Sequence, residues 1–186
     1  MSGRDERAVI ETERLLLRDW RADDVEPFHR HLNTAAVMRW LGGTMSREQH
    51  DSIVLERFME WQETRGFTLW AVERRADRAL LGFCGIKISD EPGSHVNGDY
   101  EIAWRFREDS WGQGYAKEAA FGALGHAFAA LGAQRVVALT VPGNRRSWGL
   151  MERLGMRRRA DLDFEGAPWA KGPAIVYEIV REGWAR

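Results

Sequence analysis

Two glycines, Gly112 and Gly114, stand between an aromatic-rich strand candidate, Tyr100–Phe106, and an alanine-rich helical stretch, Gly114–Leu131. This junction narrows the folds open to the chain more than any other segment. Glycine lets the backbone turn tightly and bare its N–H groups. A helix start offers unpaired N–H donors and the positive end of the dipole. The run Gly112-Gln113-Gly114-Tyr115-Ala116-Lys117 therefore reads as a cradle for a pyrophosphate or similar anion, built by backbone more than by Lys117. Spacing excludes two other phosphate loops. No GxxxxGK[ST] occurs. A dinucleotide fingerprint would need a third glycine where Lys117 stands, directly after the first strand of a βαβ unit. By itself, Gly-x-Gly is also the mark of an ordinary tight turn.

The rest of the chain supplies the context. Leu15–Trp20 reads as a first strand. Val25, Phe28 and Leu32 recur at helical spacing within Arg21–Asn33, and a second short helical stretch is expected at Ala35–Leu41. Ser46 with Gln49 has the form of a capping box, opening a helix that Gly66 ends. Phe67–Val72 and Leu80–Ile88 form an expected antiparallel hairpin around the charged turn Arg74–Arg78. Ser89–Gly98 is a loop. Arg135–Val141 is a β-branched strand, Arg145–Leu154 a helix stopped by Gly155, and strands close the chain near Met156–Arg159 and Ala174–Arg181. The order β-α-α-β-β-β-α-β-α-β-β argues for α+β, a largely antiparallel sheet with helices on its faces. Gly122 and Gly125 inside the alanine-rich helix each cost about 1 kcal/mol against Ala, which points to a neighbour too close for a side chain.

Charge and cysteine content remove several classes of function. The 186 residues carry 27 Lys plus Arg against 28 Asp plus Glu, so there is no basic field to hold a nucleic acid. The single cysteine, Cys84, lies in an apolar strand and reads as a small core residue, with no disulfide to imply an oxidising compartment. No apolar run reaches 18 residues, so no membrane span is expected. Met1–Arg7 is charged and does not read as a signal peptide, which leaves the cytoplasm as the expected location. One domain spanning 1–186, with its core at about 11–181, accounts for the length.

Three stretches then fall into a familiar order: Tyr100-Glu-Ile-Ala-Trp-Arg-Phe106, Trp111-Gly-Gln-Gly-Tyr-Ala-Lys-Glu-Ala119 and Asn144-Arg-Arg-Ser-Trp-Gly-Leu-Met-Glu-Arg-Leu-Gly-Met156. Together they resemble the GNAT superfamily of N-acetyltransferases, most closely its ribosomal-protein N-acetyltransferase-like branch. Glu13-Arg-Leu-Leu-Leu-Arg18 is similar to that branch's first strand. The resemblance implies a GNAT fold: a mixed, largely antiparallel central sheet of about seven strands with helices on both faces, splayed between the fourth and fifth strands.

The same resemblance implies a site. Acetyl-CoA would be the co-substrate, with no metal. Gly112, Gln113, Gly114, Tyr115, Ala116 and Lys117 would cradle its pyrophosphate. The family's loop has the form [Q/R]xxGx[G/A]; Gly114 and Ala116 match, and Trp111 replaces the Gln or Arg. Trp104, Arg105 and Phe106 correspond to the strand edge that pairs with the pantetheine arm, and Asn144 to a residue contacting that arm. The amine would attack directly, without an acyl-enzyme. Its proton needs a base, and Glu101 is the first candidate, with Asp99 and Tyr100 nearby. Met151 stands where many relatives carry an acid tyrosine, so Ser147 is the substitute donor. That departure keeps open an alternative reading, a catalytically inactive acyl-CoA-binding sensor or interaction module.

The acceptor is expected to be a small-molecule or peptide amine, and a homodimer stays open. Trp40, Trp61, Trp70 and Trp169 are candidates to line its pocket, and Asp161–Gly166 with Pro168–Pro173 to wall it, although core packing is the default for tryptophan. His29 and His31 are two apart and face different ways, poor geometry for a metal.

Overall fold

In a computed structural model of the chain, residues 8–184 are described. The charged stretch Met1–Arg7, where no signal peptide was expected, lies outside them. Eight strands form one sheet: β1 (Ala8–Glu11), β2 (Leu15–Arg18), β3 (Leu69–Arg74), β4 (Leu80–Ile88), β5 (Tyr100–Phe106), β6 (Arg135–Thr140), β7 (Arg157–Arg158) and β8 (Ile175–Val180). Their order is β1-β2-β3-β4-β5-β6-β8-β7. Neighbours are antiparallel except β5 and β6, which run parallel. The expected count was about seven. The extra strand is β1, four residues at the edge with too short a pattern to read.

The parallel pair is short. Only Tyr100↔Val136 and Glu101↔Val137 are in register, after which the two strands part. The remaining edge of β5, Ile102–Phe106, pairs with β4 on one side and, among the described residues, with no strand on the other. This is the expected splay between the fourth and fifth strands of the sequence reading.

Helices α1 (Val25–Leu32), α2 (Arg47–Ser52) and α3 (Met59–Thr64) cover one face; Phe28, Leu32, Val54 and Phe58 pack there on Leu69, Ala71 and Phe83. A π-helical turn, Ile53–Phe58, joins α2 to α3. Ser46 does close a capping box with Gln49. Helices α4 (Tyr115–Ala129) and α5 (Arg145–Arg153) cover the other face, where Ala119, Ala120, Ala123, Leu150 and Met151 meet Ile86, Ile102, Val136 and Ala138. A third cluster, Val96, Phe164, Ala167 and Ala174 on Val137 and Val176, places the 160–174 loop on the α1–α3 side of β6 and β8. Among the described residues no helix is long and apolar enough to cross a membrane.

Three local expectations are resolved. Ala35–Leu41 is a series of turns, not a helix, between Asn33 and Gly42-Gly43, whose φ values of 87° and 95° end it. Trp70 is core, the default for a tryptophan, 1% exposed with its ring edge-on to His126. The two helical glycines differ. A Cβ on Gly122 would lie 3.0 Å from Cγ2 of Ile10, because β1 crosses there, whereas one on Gly125 would meet nothing within 4 Å.

A buried ion cluster ties the first helix to the sheet. Arg18 Nε donates to Glu73 Oε2 at 2.7 Å, while its Nη1 and Nη2 donate to Asp24 Oδ2 and Oδ1 at 2.7 and 2.8 Å. Burial pulls the Arg18 pKa down, but both carboxylates outweigh it and hold the charge. Arg18→Met would strand Asp24, which is 6% exposed, without its partner. Glu73 keeps an ion pair with Arg78 at 2.7 Å. The expected loss is therefore near the low end for a broken buried pair, about 3 kcal/mol by urea unfolding. A loss below about 1 kcal/mol would mean the cluster is not holding the helix to the sheet.

Candidate active site

The glycine turn is held open from behind. Gly112 and Gly114 take φ of 75° and 82°, left-handed values that a side chain disfavours, and Gly114 is the N-cap of α4. Residues Gly112, Gln113 and Gly114 are exposed. Arg14, in the β1–β2 turn, braces the back of the loop. Its Nη1 donates to Gln113 O at 3.0 Å, its Nε to Glu118 Oε2 at 2.7 Å, and its guanidinium lies 4.5 Å over the Tyr115 ring. The first N–H groups of α4, from Tyr115, Ala116 and Lys117, have no intrahelical acceptor. They and the glycine N–H groups form a compact donor set for an anion.

Trp111 has a distinct job. Its Nε1 donates to Phe106 O at 2.9 Å, tying the loop to the end of β5. The Arg146 guanidinium of α5 lies 4.7 Å over its ring, across the mouth of the splay. Sequence spacing gave no sign of this cation beside the cradle.

Strand alternation sorts the β5 side chains. Trp104 and Phe106 pack with Tyr100 and Ile102 on the α4–α5 side. What they offer the splay is the unpaired backbone edge. Glu101, Ala103 and Arg105 face the α1–α3 side. Arg105 shares that backbone edge, and its side chain lies 5.3 Å from the Phe83 ring and 5.9 Å from the Phe28 ring.

Glu101 sits at the apex of the splay, opposite Val137 in the last parallel pair. It is 5% exposed, and its Oε2 lies 3.3 Å from Lys87 Nζ. Burial raises its pKa to about 7, against the pull of Lys87 and Ser89. The other two candidates are otherwise engaged. Asp99 is ion-paired with Arg135. Tyr100 faces the opposite side, its hydroxyl 3.5 Å from Leu131 O.

At the start of α5, Asn144 is the N-cap and its Oδ1 accepts from Ser147 N at 3.4 Å. Ser147 is half-buried on the first turn. Met151 is 1% exposed, part of the core. No tyrosine takes its place: the hydroxyl of Tyr177 meets Glu152, Tyr115 lies beside Arg74, and Tyr100 faces away.

Two groupings bring together residues remote in sequence. Trp40 packs on the turn after β6, where a Cβ at Gly143 would stand 2.6 Å from its Cζ3. Trp169 approaches Gly42, so the 160–174 loop and the turns after α1 meet over this face. Second, His29 and Asp51 lie beside His50, and one ligand-type atom from each falls within 4.8 Å of the others. The partner of His29 is thus on the next helix, not His31, and no spacing rule links residues 21 apart across a loop. Cys84 is buried, and burial pushes its thiol pKa up, which makes it inert.

Comparisons with known proteins agree on one family. Residues 14–157 match the family model described as an acetyltransferase (GNAT) domain. The uncharacterized N-acetyltransferase YoaA of Bacillus subtilis is 28% identical over 179 residues, covering 93% of this chain and 97% of that one. The crystal structure of a GNAT-family acetyltransferase from Bacillus anthracis superposes with a TM-score of 0.77 at 28% identity, covering 93% of this chain and 98% of that one. The ribosomal-protein-S5-alanine acetyltransferase from Vibrio fischeri shares the fold, with a TM-score of 0.72 at 15% identity, covering 95% of this chain and 98% of that one.

Proposed function

Because the chain belongs to the GNAT acetyltransferase family, and is thus an acyltransferase, we propose that it moves the acetyl group of acetyl-CoA to a primary amine by direct attack in a ternary complex. The observation that carries this reading is Glu101, a buried carboxylate of raised pKa at the point where β5 and β6 part.

The residues present suit the co-substrate. Two exposed glycines with positive φ and the first turn of α4 would receive the pyrophosphate. Arg146 stands beside them, and the open edge of Ile102–Phe106 would take the amide groups of the arm. Asn144 and the α5 start lie on the far bank of the splay. When bound, acetyl-CoA supplies the activated carbonyl and the leaving thiolate.

The chain's own work is positional and protonic. An amine is an ammonium ion at neutral pH and must lose a proton to attack. A carboxylate with a pKa near 7 is well matched to accept it, directly or through one water. A backbone N–H on the open β5 edge would polarise the carbonyl oxygen. With Met151 in the core and every tyrosine engaged elsewhere, the leaving thiolate depends on Ser147 or on water for its proton.

Purified protein mixed with acetyl-CoA and a panel of peptides, amino acids, polyamines and aminoglycosides is expected to release free thiol with at least one acceptor. Tight CoA binding with no thiol release across the panel would favour the inactive binding module. The acceptor class, the single domain over 1–186 and the site assignments all belong to this proposal.

A further inference from the structure

Arg105 carries a guanidinium with no counter-ion. Its Nε and Nη1 are shut off from solvent and have no hydrogen-bond partner. Among the described residues no carboxylate forms an ion pair with it, and burial alone lowers its pKa, to about 10. The rings of Phe28 and Phe83 give it cation–π contacts, which soften its burial but do not balance the charge. Arg105 is half-buried as a residue, but a cation with two nitrogens shut off from solvent and unpaired is costly, so its retention calls for a partner that arrives from outside.

His50 lies close to Arg105, near enough to feel its charge. It is 0% exposed, its ring is stacked on Phe28 at 4.4 Å, and neither Nδ1 nor Nε2 has a partner. His29 Nδ1 is likewise buried without one, with its ring 5.3 Å from His50. Asp51 Oδ1 is also unpaired, but its Oδ2 accepts from Arg47 Nε at 2.5 Å, which offsets its charge. Two histidines and an aspartate invite a metal ion, yet Arg105 acts on His50 as a neighbouring positive charge and would repel one. An anion answers the unpaired donors of Arg105 and His50 together.

We propose that Arg105 and His50 form a carboxylate subsite for the acceptor, and that the acceptor is a peptide N-terminus with an acidic residue near its third position. This rests on reading the Glu101 face as the acceptor side. Glu101 and Arg105 are four residues apart on one strand face, about 13 Å between Cα atoms. A free amino acid, with its carboxylate next to its amine, is too short to reach from one to the other. An extended peptide advances about 3.5 Å per residue, so an acidic side chain two residues beyond the amine spans the gap. The planar guanidinium suits a carboxylate bidentately, and an imidazole N–H adds a third donor.

The test compares the peptide amides Ala-Ala-Glu and Ala-Ala-Gln, each with a free N-terminus. The wild type is expected to favour the glutamate peptide roughly tenfold or more in kcat/KM, as befits one charge-assisted pair. Arg105→Met should abolish that preference. It should also raise Tm by roughly 2–4 °C, because an uncompensated charge is replaced by an apolar side chain. A purely structural arginine would lower Tm instead. Calorimetric binding of both peptides in the presence of CoA reads the subsite without turnover, so it still decides the matter if no acetyl transfer occurs. Equal affinity for the two peptides, or a preference that survives Arg105→Met, overturns the proposal. Tight Zn²⁺ binding lost in His50→Ala, with no discrimination between peptides, would overturn it in favour of a metal site.

Discussion

Glu101→Gln is expected to lower kcat roughly 100-fold, the lower end of what a positioned general base contributes. The acidic limb of the wild-type pH–rate profile, centred near the Glu101 pKa of about 7, should vanish with it. Glutamine keeps the shape and the neutral polarity, so CoA affinity should hold within about twofold. The same substitution has a stability signature of known sign. The Glu101 pKa is raised from 4.5 to about 7 on folding, chiefly by burial. Between those values the folded chain binds more protons than the unfolded one, so wild-type stability falls as pH rises across that window and stays low above it. Glu101→Gln lacks this loss. It should be more stable than wild type at pH 8, with the difference shrinking toward pH 4.5. An acidic limb that persists unchanged in the variant would remove Glu101 as the base, whatever happens to stability.

Gly114→Asp should weaken CoA binding by roughly tenfold or more, measured by calorimetry. Three effects add. A side chain at φ 82° is strained, which disturbs the N-cap of α4. A carboxylate sits beside the N–H groups meant for phosphate oxygens. Its own oxygens compete for those donors. Arg14 tempers the repulsion, since its Nη2 would lie 3.4 Å from the new Cβ. Gly114→Ala separates the terms: it keeps the strain and drops the charge, so it should weaken binding less. Equal affinity in wild type and Gly114→Asp would place the pyrophosphate elsewhere.

Some elements were legible because their signals are local. The capping box at Ser46 and Gln49, the hairpin around Arg74–Arg78 and the left-handed Gly155 each depend on neighbours within a few residues. The β5–α4 junction was legible for the same reason: glycines that bare N–H groups do so wherever the chain leads. β1 was not, because four residues at a sheet edge carry too little periodicity; its existence shows in Gly122, which leaves room for Ile10. Ala35–Leu41 was read as a short helix, but the chain there folds as turns running into Gly42-Gly43, both at positive φ.

The proposed base was half legible. Glu101 could be named from the strand it occupies, but strand alternation alone left its face open. Its burial, its contact with Lys87 and the engagement of Asp99 by Arg135 come from three separate elements meeting. Arg105 shows the same limit more sharply. Its place on β5 was clear, yet the identity of its surroundings depends on α1, α2 and β4, which approach it from 77, 55 and 22 residues away in sequence at Phe28, His50 and Phe83.

The sequence by itself determined most of the strands and helices, the glycine turn before α4 and the family the chain resembles, since backbone conformation and hydrogen-bonding capacity are written over a few residues. Only the tertiary structure decided which carboxylate is buried at the splay and which cation is left without a partner. Desolvation and charge pairing are properties of the space around a side chain, and that space is filled by residues remote in the chain.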